Sequence, residues 1–183
     1  AAKVLTAVDG TPCIDGVAIT DRKMPAGDYK LESDITTDIY VDTEGSINID
    51  LNGYTWDMSA KYLFINSNVT LSLYDTSVNK TGKITTSSRV CTIRLSGSDP
   101  TFNLYSGTVE NTSNEVSADG VYVYSNYGSS NLYGGKIKSN SYAVSYRLSQ
   151  DITINIDNTS FECGDGYAQI YTYLSSNEEP YAV

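Results

Sequence analysis

A short phrase recurs five times along the chain, and it leaves few folds open. Its clearest copies are Leu104-Tyr105-Ser106-Gly107-Thr108-Val109 and Leu132-Tyr133-Gly134-Gly135-Lys136-Ile137. Two more span residues 51–56 and 156–161. In these four, an aliphatic residue is followed five positions later by a large apolar one, with turn formers between. The fifth copy opens at Leu73, carries six extra residues at 75–80, and closes at Gly82-Lys83-Ile84. Each phrase follows an alternating stretch. Aligned on the aliphatic anchor, the inward columns read Ile49/Leu71/Phe102/Ser130/Ile154 and Leu51/Leu73/Leu104/Leu132/Ile156. The outward columns read Asp50/Ser72/Asn103/Asn131/Asn155 and Asn48/Thr70/Thr101/Ser129/Thr153. Such alternation predicts strands with one buried face.

A strand–turn–strand unit repeated every 22 to 31 residues points to stacked coils, since one coil cannot bury its own inside. The predicted fold is all-β: a right-handed parallel β-helix of about five coils with an N-terminal cap. An antiparallel β-sandwich is the alternative, and the fixed five-residue spacing speaks against it. Residues 1–26 do not fit the repeat and read as the cap that covers the open edge of the first coil. Residues 27–174 form the β-helix, and 175–183 are a C-terminal tail or the start of another coil. The second strands centre on Trp56, Ile84, Val109, Ile137 and Phe161. Third strands follow within residues 62–65, 90–93, 121–124, 142–146 and 168–171. Both parities can be drawn for 142–146.

Composition narrows the function classes. Net charge is −10, which disfavours phosphate-backbone binding and so nucleic acid. No apolar run approaches the roughly 20 residues of a membrane span. Histidine is absent, removing the commonest general base and metal ligand. The 16 tyrosines against 3 phenylalanines are the compositional outlier. Tyrosine joins an apolar body to a polar tip and suits half-exposed, interacting surfaces. Cys13, Cys91 and Cys163 have no paired spacing and are expected to be free thiols; Cys13 alone is a conceivable partner for Cys91.

Residues 27–35 followed by Ile47-Asn48-Ile49-Asp50-Leu51-Asn52-Gly53-Tyr54-Thr55, together with the Leu-Tyr-Ser-Gly-Thr-Val and Leu-Tyr-Gly-Gly-Lys-Ile phrases, resemble the pectate-lyase-like right-handed β-helix repeats of bacterial surface proteins. The resemblance covers roughly residues 27–172 and implies fold more than activity, because that fold hosts lyases, hydrolases and non-catalytic adhesins. It implies an extracellular or cell-surface location and a place in a longer chain.

Two tyrosine groups are the candidate ligand contacts. Tyr74, Tyr105 and Tyr133 follow the anchor position in successive coils and form a corner column, with Asn52 and Asp157 at its ends. Tyr62, Tyr122, Tyr124, Tyr146, Tyr171 and Tyr173 lie on the third strands. Either group can serve a glycan or protein partner, or simply pack along the stack. The Thr and Asn columns read as the solvated side of a sheet. Glu110, Lys138 and Glu162 recur at one outward position and are expected to pair between coils. Asp34, Asp38, Asp42, Glu44 and Asp50 crowd the first coil, where carboxylates would be the means of holding Ca²⁺; a solvated acidic rim is the plainer reading, and no cofactor is expected. Asp50 with Asp57, or Asp119 with Asp165, are carboxylates that folding would have to bring together for catalysis. The expected function is therefore a non-catalytic, adhesin-like surface module binding polysaccharide or a surface protein. A polysaccharide lyase or hydrolase and a bare structural spacer are the alternatives.

Overall fold

The computed structural model describes residues 1–41, 43–126, 128–148, 152–174 and 181–182. Among them there is no helix, and the strands stack in parallel into a β-solenoid of about six coils. Each coil gives one strand to each of three sheets. The first sheet stacks Gly27–Leu31, Gly45–Asp50, Val69–Tyr74, Thr101–Leu104, Ser129–Leu132 and Thr153–Ile156. The second stacks Ile35–Thr36, Thr55–Asp57, Lys83–Thr86, Thr108–Asn111, Lys136–Lys138 and Ser160–Glu162. The third stacks Leu63–Ile65, Cys91–Ser98, Asp119–Asn126, Val144–Leu148 and Ile170–Leu174.

The coil beyond the five expected is the N-terminal one. Its second strand has only two residues, and its third contribution is a pair of isolated bridges at Tyr40 and Val41. Segments that short show no alternation. Ahead of it, Lys3–Val8 pairs in parallel with Gly27–Leu31 and folds back antiparallel onto Thr11–Ile14. At the other end Tyr181–Ala182 lies antiparallel on Tyr171 and Thr172. The rest of the predicted tail, 175–180 and 183, lies outside the described residues.

The inward columns form the core. Leu71, Phe102 and Ser130 stack with Ile154, and Leu73, Leu104 and Leu132 stack with Ile156. Trp56, Ile84, Val109, Ile137 and Phe161 stack in the second sheet. Most of these side chains are fully buried, whereas the last coil, with no coil above it, leaves Ile156 45% exposed. One register differs from the expectation. Ile47 pairs with Leu71 and Ile49 with Leu73, so residues 45–50 sit two positions along from the alignment on Leu51. A two-residue shift keeps every side chain on its face, so the pattern alone could not detect it. Leu51 instead fills the corner beyond the strand, under Gly82 and Gly107. A Cβ on Gly82 would stand 2.6 Å from the Leu51 Cβ. Thus Asn48 joins Ser72, Asn103, Asn131 and Asn155, and Asp50 rather than Asn52 precedes Tyr74.

The predicted charge column is present in the second sheet. Lys138 Nζ lies 3.6 Å from Glu110 Oε1 and 3.7 Å from Glu162 Oε2, with Lys83 and Lys136 joining at 3.0 and 2.5 Å. The three cysteines are free, Cys13 and Cys91 buried and Cys163 half-buried.

Candidate binding site: two aromatic faces compared

The first sheet presents the corner column. Tyr74 and Tyr105 stack with ring centroids 4.7 Å apart and planes 4° from parallel, and Tyr105 meets Tyr133 at 5.4 Å. Parallel in-register stacking dictates this: identical side chains on adjacent rungs fall about 4.8 Å apart, the spacing of neighbouring strands. The rings are about 40% exposed at Tyr105 and Tyr133, and the faces of Tyr74 and Tyr105 that meet in the stack cover one another. Beside them runs an amide ladder. Asn131 Nδ2 donates to Asn103 Oδ1 at 2.8 Å and Asn155 Nδ2 to Asn131 Oδ1 at 2.7 Å. Asn103 donates to Ser72 Oγ at 3.1 Å, and Asn48 to Asp28 at 2.8 Å. This face spends its rings and amides on itself.

The third sheet is different. Its inward residues are Leu63 and Ile65, Ile93 and Leu95, Val121 and Val123, then Val144 and Tyr146. This resolves the open parity of 142–146. It also removes Tyr146 from the candidate contacts, since its ring is fully buried in the core. Burial raises the pKa of its phenol. Tyr122 and Tyr124 point outward, their rings 6.0 Å apart. In the Tyr122 column the rungs read Phe64, Arg94, Tyr122, Ser145 and Tyr171. The Arg94 guanidinium lies 5.8 Å from the Phe64 ring, 5.4 Å from Tyr122 and 5.3 Å from Tyr124, while Arg147 lies 4.5 Å from Tyr124. Tyr171 stacks instead on Tyr142 at 4.2 Å, with Tyr167 edge-on to Tyr142 at 5.0 Å. The side chain of Tyr173 lies outside the described residues.

At the N-terminal end this aromatic strip opens into a groove that sequence reasoning missed. It has a volume of about 700 Å³ and runs between the first three coils, with Tyr40, Tyr62, Phe64 and Val90 on its walls and Lys61 and Arg89 among its polar groups. Phe64 belongs to both groove and strip, so the two are continuous. Its volume falls in the range of ligand-sized clefts. The sequence signal was Tyr62 beside Phe64; Tyr40 joins them through the bridge that sets Val41 against Ile65, which puts Tyr40 on the rung of Phe64.

The carboxylates proposed for metal binding or catalysis are dispersed. Asp34 accepts from the Thr55 amide at 2.7 Å, Asp57 from Ser59 at 2.7 Å, and Asp50 from Thr76 and Asn52 at 2.9 Å each. Asp38 pairs with Arg22 at 2.5 Å. Asp42 lies outside the described residues. Among the described residues no three His, Cys, Asp or Glu side chains converge as metal ligands would. Compared with known proteins, the chain matches no family model, no curated protein and no solved structure.

Among the carboxyl groups of the described residues, Asp119 is the strongly perturbed one. It is buried between the Ser145 and Ser141 hydroxyls, the latter 3.2 Å away. Burial lifts its carboxyl to about 6, with both hydroxyls and the Tyr142 amide acting in the opposite sense. Because the folded pKa lies above the unfolded one, the folded state takes up a proton between about pH 6 and about pH 4 that the unfolded chain does not. Stability from this group therefore rises as pH falls through that window, by an upper bound of about 3 kcal/mol. Burial alone would push the Asp75 carboxyl up, but hydrogen bonds from Ser77, Gly82 and Gly53 together outweigh it and hold it below the usual carboxylate range, so its contribution stays intact across the same window. Thermal melts at pH 7 and pH 5 should show the acid-side gain in the wild type and lose it in Asp119→Asn. An unchanged pH slope in the variant would assign the effect to other groups.

Proposed function

We propose that this solenoid is a non-catalytic binding module, of the adhesin-like, surface-displayed kind suggested by its pectate-lyase-like turn phrases, and that it holds a glycan on the outer face of the third sheet. The observation that carries this reading is the continuity of Tyr122 and Tyr124 with Arg94, Phe64 and the groove beyond. Sugar rings have apolar C–H faces and polar rims, and they suit half-exposed aromatic surfaces set among hydrogen-bond donors. On the corner column Tyr74 and Tyr105 stack on one another and the neighbouring amides bind in a ladder; on the third sheet Tyr122 and Tyr124 lie among the guanidinium donors of Arg94 and Arg147, on a strip continuous with the groove. A long glycan suits a strip that crosses several rungs.

Two double variants separate the faces. Tyr122→Ala with Tyr124→Ala should weaken polysaccharide binding by about tenfold or more, corresponding to about 1.4 kcal/mol, with little loss of fold because both rings lie outside the core. Tyr105→Ala with Tyr133→Ala should leave affinity near wild type and lower the melting temperature slightly, through lost stacking of about 0.2–1 kcal/mol per pair. Affinity abolished by the corner variant and untouched by the other would transfer the site to the first sheet.

A further inference from the structure

We infer that the third-sheet strip is a site for an acidic glycan, one whose sugars carry carboxylate or sulfate groups, and that Arg94 and Arg147 are the residues that select it. The inference rests on the binding-face reading above and adds the charge of the ligand. The chain has four arginines. Arg22 reaches Asp38 at 2.5 Å and Arg89 reaches Glu115 at 3.5 Å. Arg94 and Arg147 have no carboxylate partner and no hydrogen-bond acceptor among the described residues, although the net charge is −10. Both are half-buried, and the Nε of each is shielded from water without a partner.

The two guanidiniums flank a single ring, 5.3 and 4.5 Å from the centroid of Tyr124. The ring attracts each cation through its π-face, which fixes the planar groups but leaves their charge unneutralised. Two partly desolvated cations beside one ring, with no carboxylate to pair them, are costly unless an anion joins them. A guanidinium presents a planar fork of donors that matches carboxylate and sulfate oxygens. Arg94 lies in the third coil and Arg147 in the fifth, with Tyr122 and Tyr124 between them on the fourth. A polymer with charged groups along its length and the apolar C–H faces of sugar rings between them fits that order.

The test compares three polymers on one backbone at physiological salt: dextran, dextran sulfate and carboxymethyl dextran. The wild-type chain should bind at least one charged derivative about tenfold or more tighter than dextran. Arg94→Gln and Arg147→Gln should each lose about tenfold of that affinity. Arg94→Lys should regain only part of it, because the charge returns without the stacked plane. Lys136→Gln, on the second sheet, should change nothing, and all variants should melt cooperatively. The sulfate and carboxylate arms tell which anion is preferred. Equal binding of all three polymers, unchanged in Arg94→Gln but lost with Tyr122→Ala and Tyr124→Ala, overturns the charge inference and leaves the binding face standing. Binding of neither charged derivative overturns the inference. So does poly-aspartate binding as tightly as both, since the strip would then be reading charge without sugar.

Discussion

Leu104→Asp should abolish folding, while Asn103→Asp, one residue earlier, should be tolerated. Leu104 is fully buried, stacked between Leu73 below and Leu132 above. A carboxylate there would have no donor within the core columns. Burial of an unpaired charge costs well beyond the roughly 5–15 kcal/mol by which a domain is stable, unless the group stays protonated, and even the neutral acid adds a desolvation penalty to the lost Leu packing. Asn103 points outward in the amide ladder, where Asp would lose its donation to Ser72 but remain half in solvent. Circular dichroism and thermal melts of the pair read out parity directly. A native-like melt of Leu104→Asp would mean that the column does not face inward.

Asp75→Ala should destabilise the fold by about 3 kcal/mol, from the buried Gly82 N–H and the half-buried Gly53 and Ser77 N–H groups left without an acceptor, each at the lower end or middle of about 1–3 kcal/mol and summed with less than full additivity. Asp75 is fully buried at the corner after Tyr74, where the six extra residues begin. Its Oδ1 accepts from the Gly53 amide at 2.9 Å and the Ser77 amide at 3.0 Å, and its Oδ2 from the Gly82 amide at 2.6 Å. One carboxylate thus closes the insertion on itself and ties it to the coil below. The next coil joins through Ser106, whose Oγ accepts from the Asp75 amide at 2.7 Å. Asp75→Asn keeps one acceptor and turns an N–H toward Gly82, so an intermediate loss is expected. Urea denaturation with an unchanged m-value measures both. A loss below about 1 kcal/mol for the alanine variant would show that water or a rearranged loop satisfies these amides.

The parts of the fold legible in the sequence were those with period two and a fixed turn. From Leu71 to Ile156 the inward and outward columns follow directly from alternation, and the second-sheet column from Trp56 to Phe161 follows from the five-residue spacing. Leu51 was a misleading anchor. It stands five positions before Trp56, but there it fills a corner, and the strand residue equivalent to Leu73 is Ile49. The first coil lay within the predicted β-helix but was not counted as a coil, because Ile35–Thr36 is too short to alternate. The third-sheet parity was hidden by tyrosine itself, which serves outward at Tyr122 and inward at Tyr146. The candidate site was legible only in part. Tyr122 and Tyr124 stood out by type, but Arg94, Arg147 and the groove depend on which coils lie next to one another. That placement comes from insertions of unequal length, which no residue pattern announces.

The most direct measurement is a glycan-array screen of the purified chain beside its Tyr122→Ala, Tyr124→Ala variant, with the same polysaccharides assayed for new reducing ends and unsaturated products. Binding by the wild type, lost in the variant and unaccompanied by product, is the expected result. Product formation would make the protein an enzyme and move attention to its carboxylates. Binding that survives the loss of both tyrosines would place the site on another face.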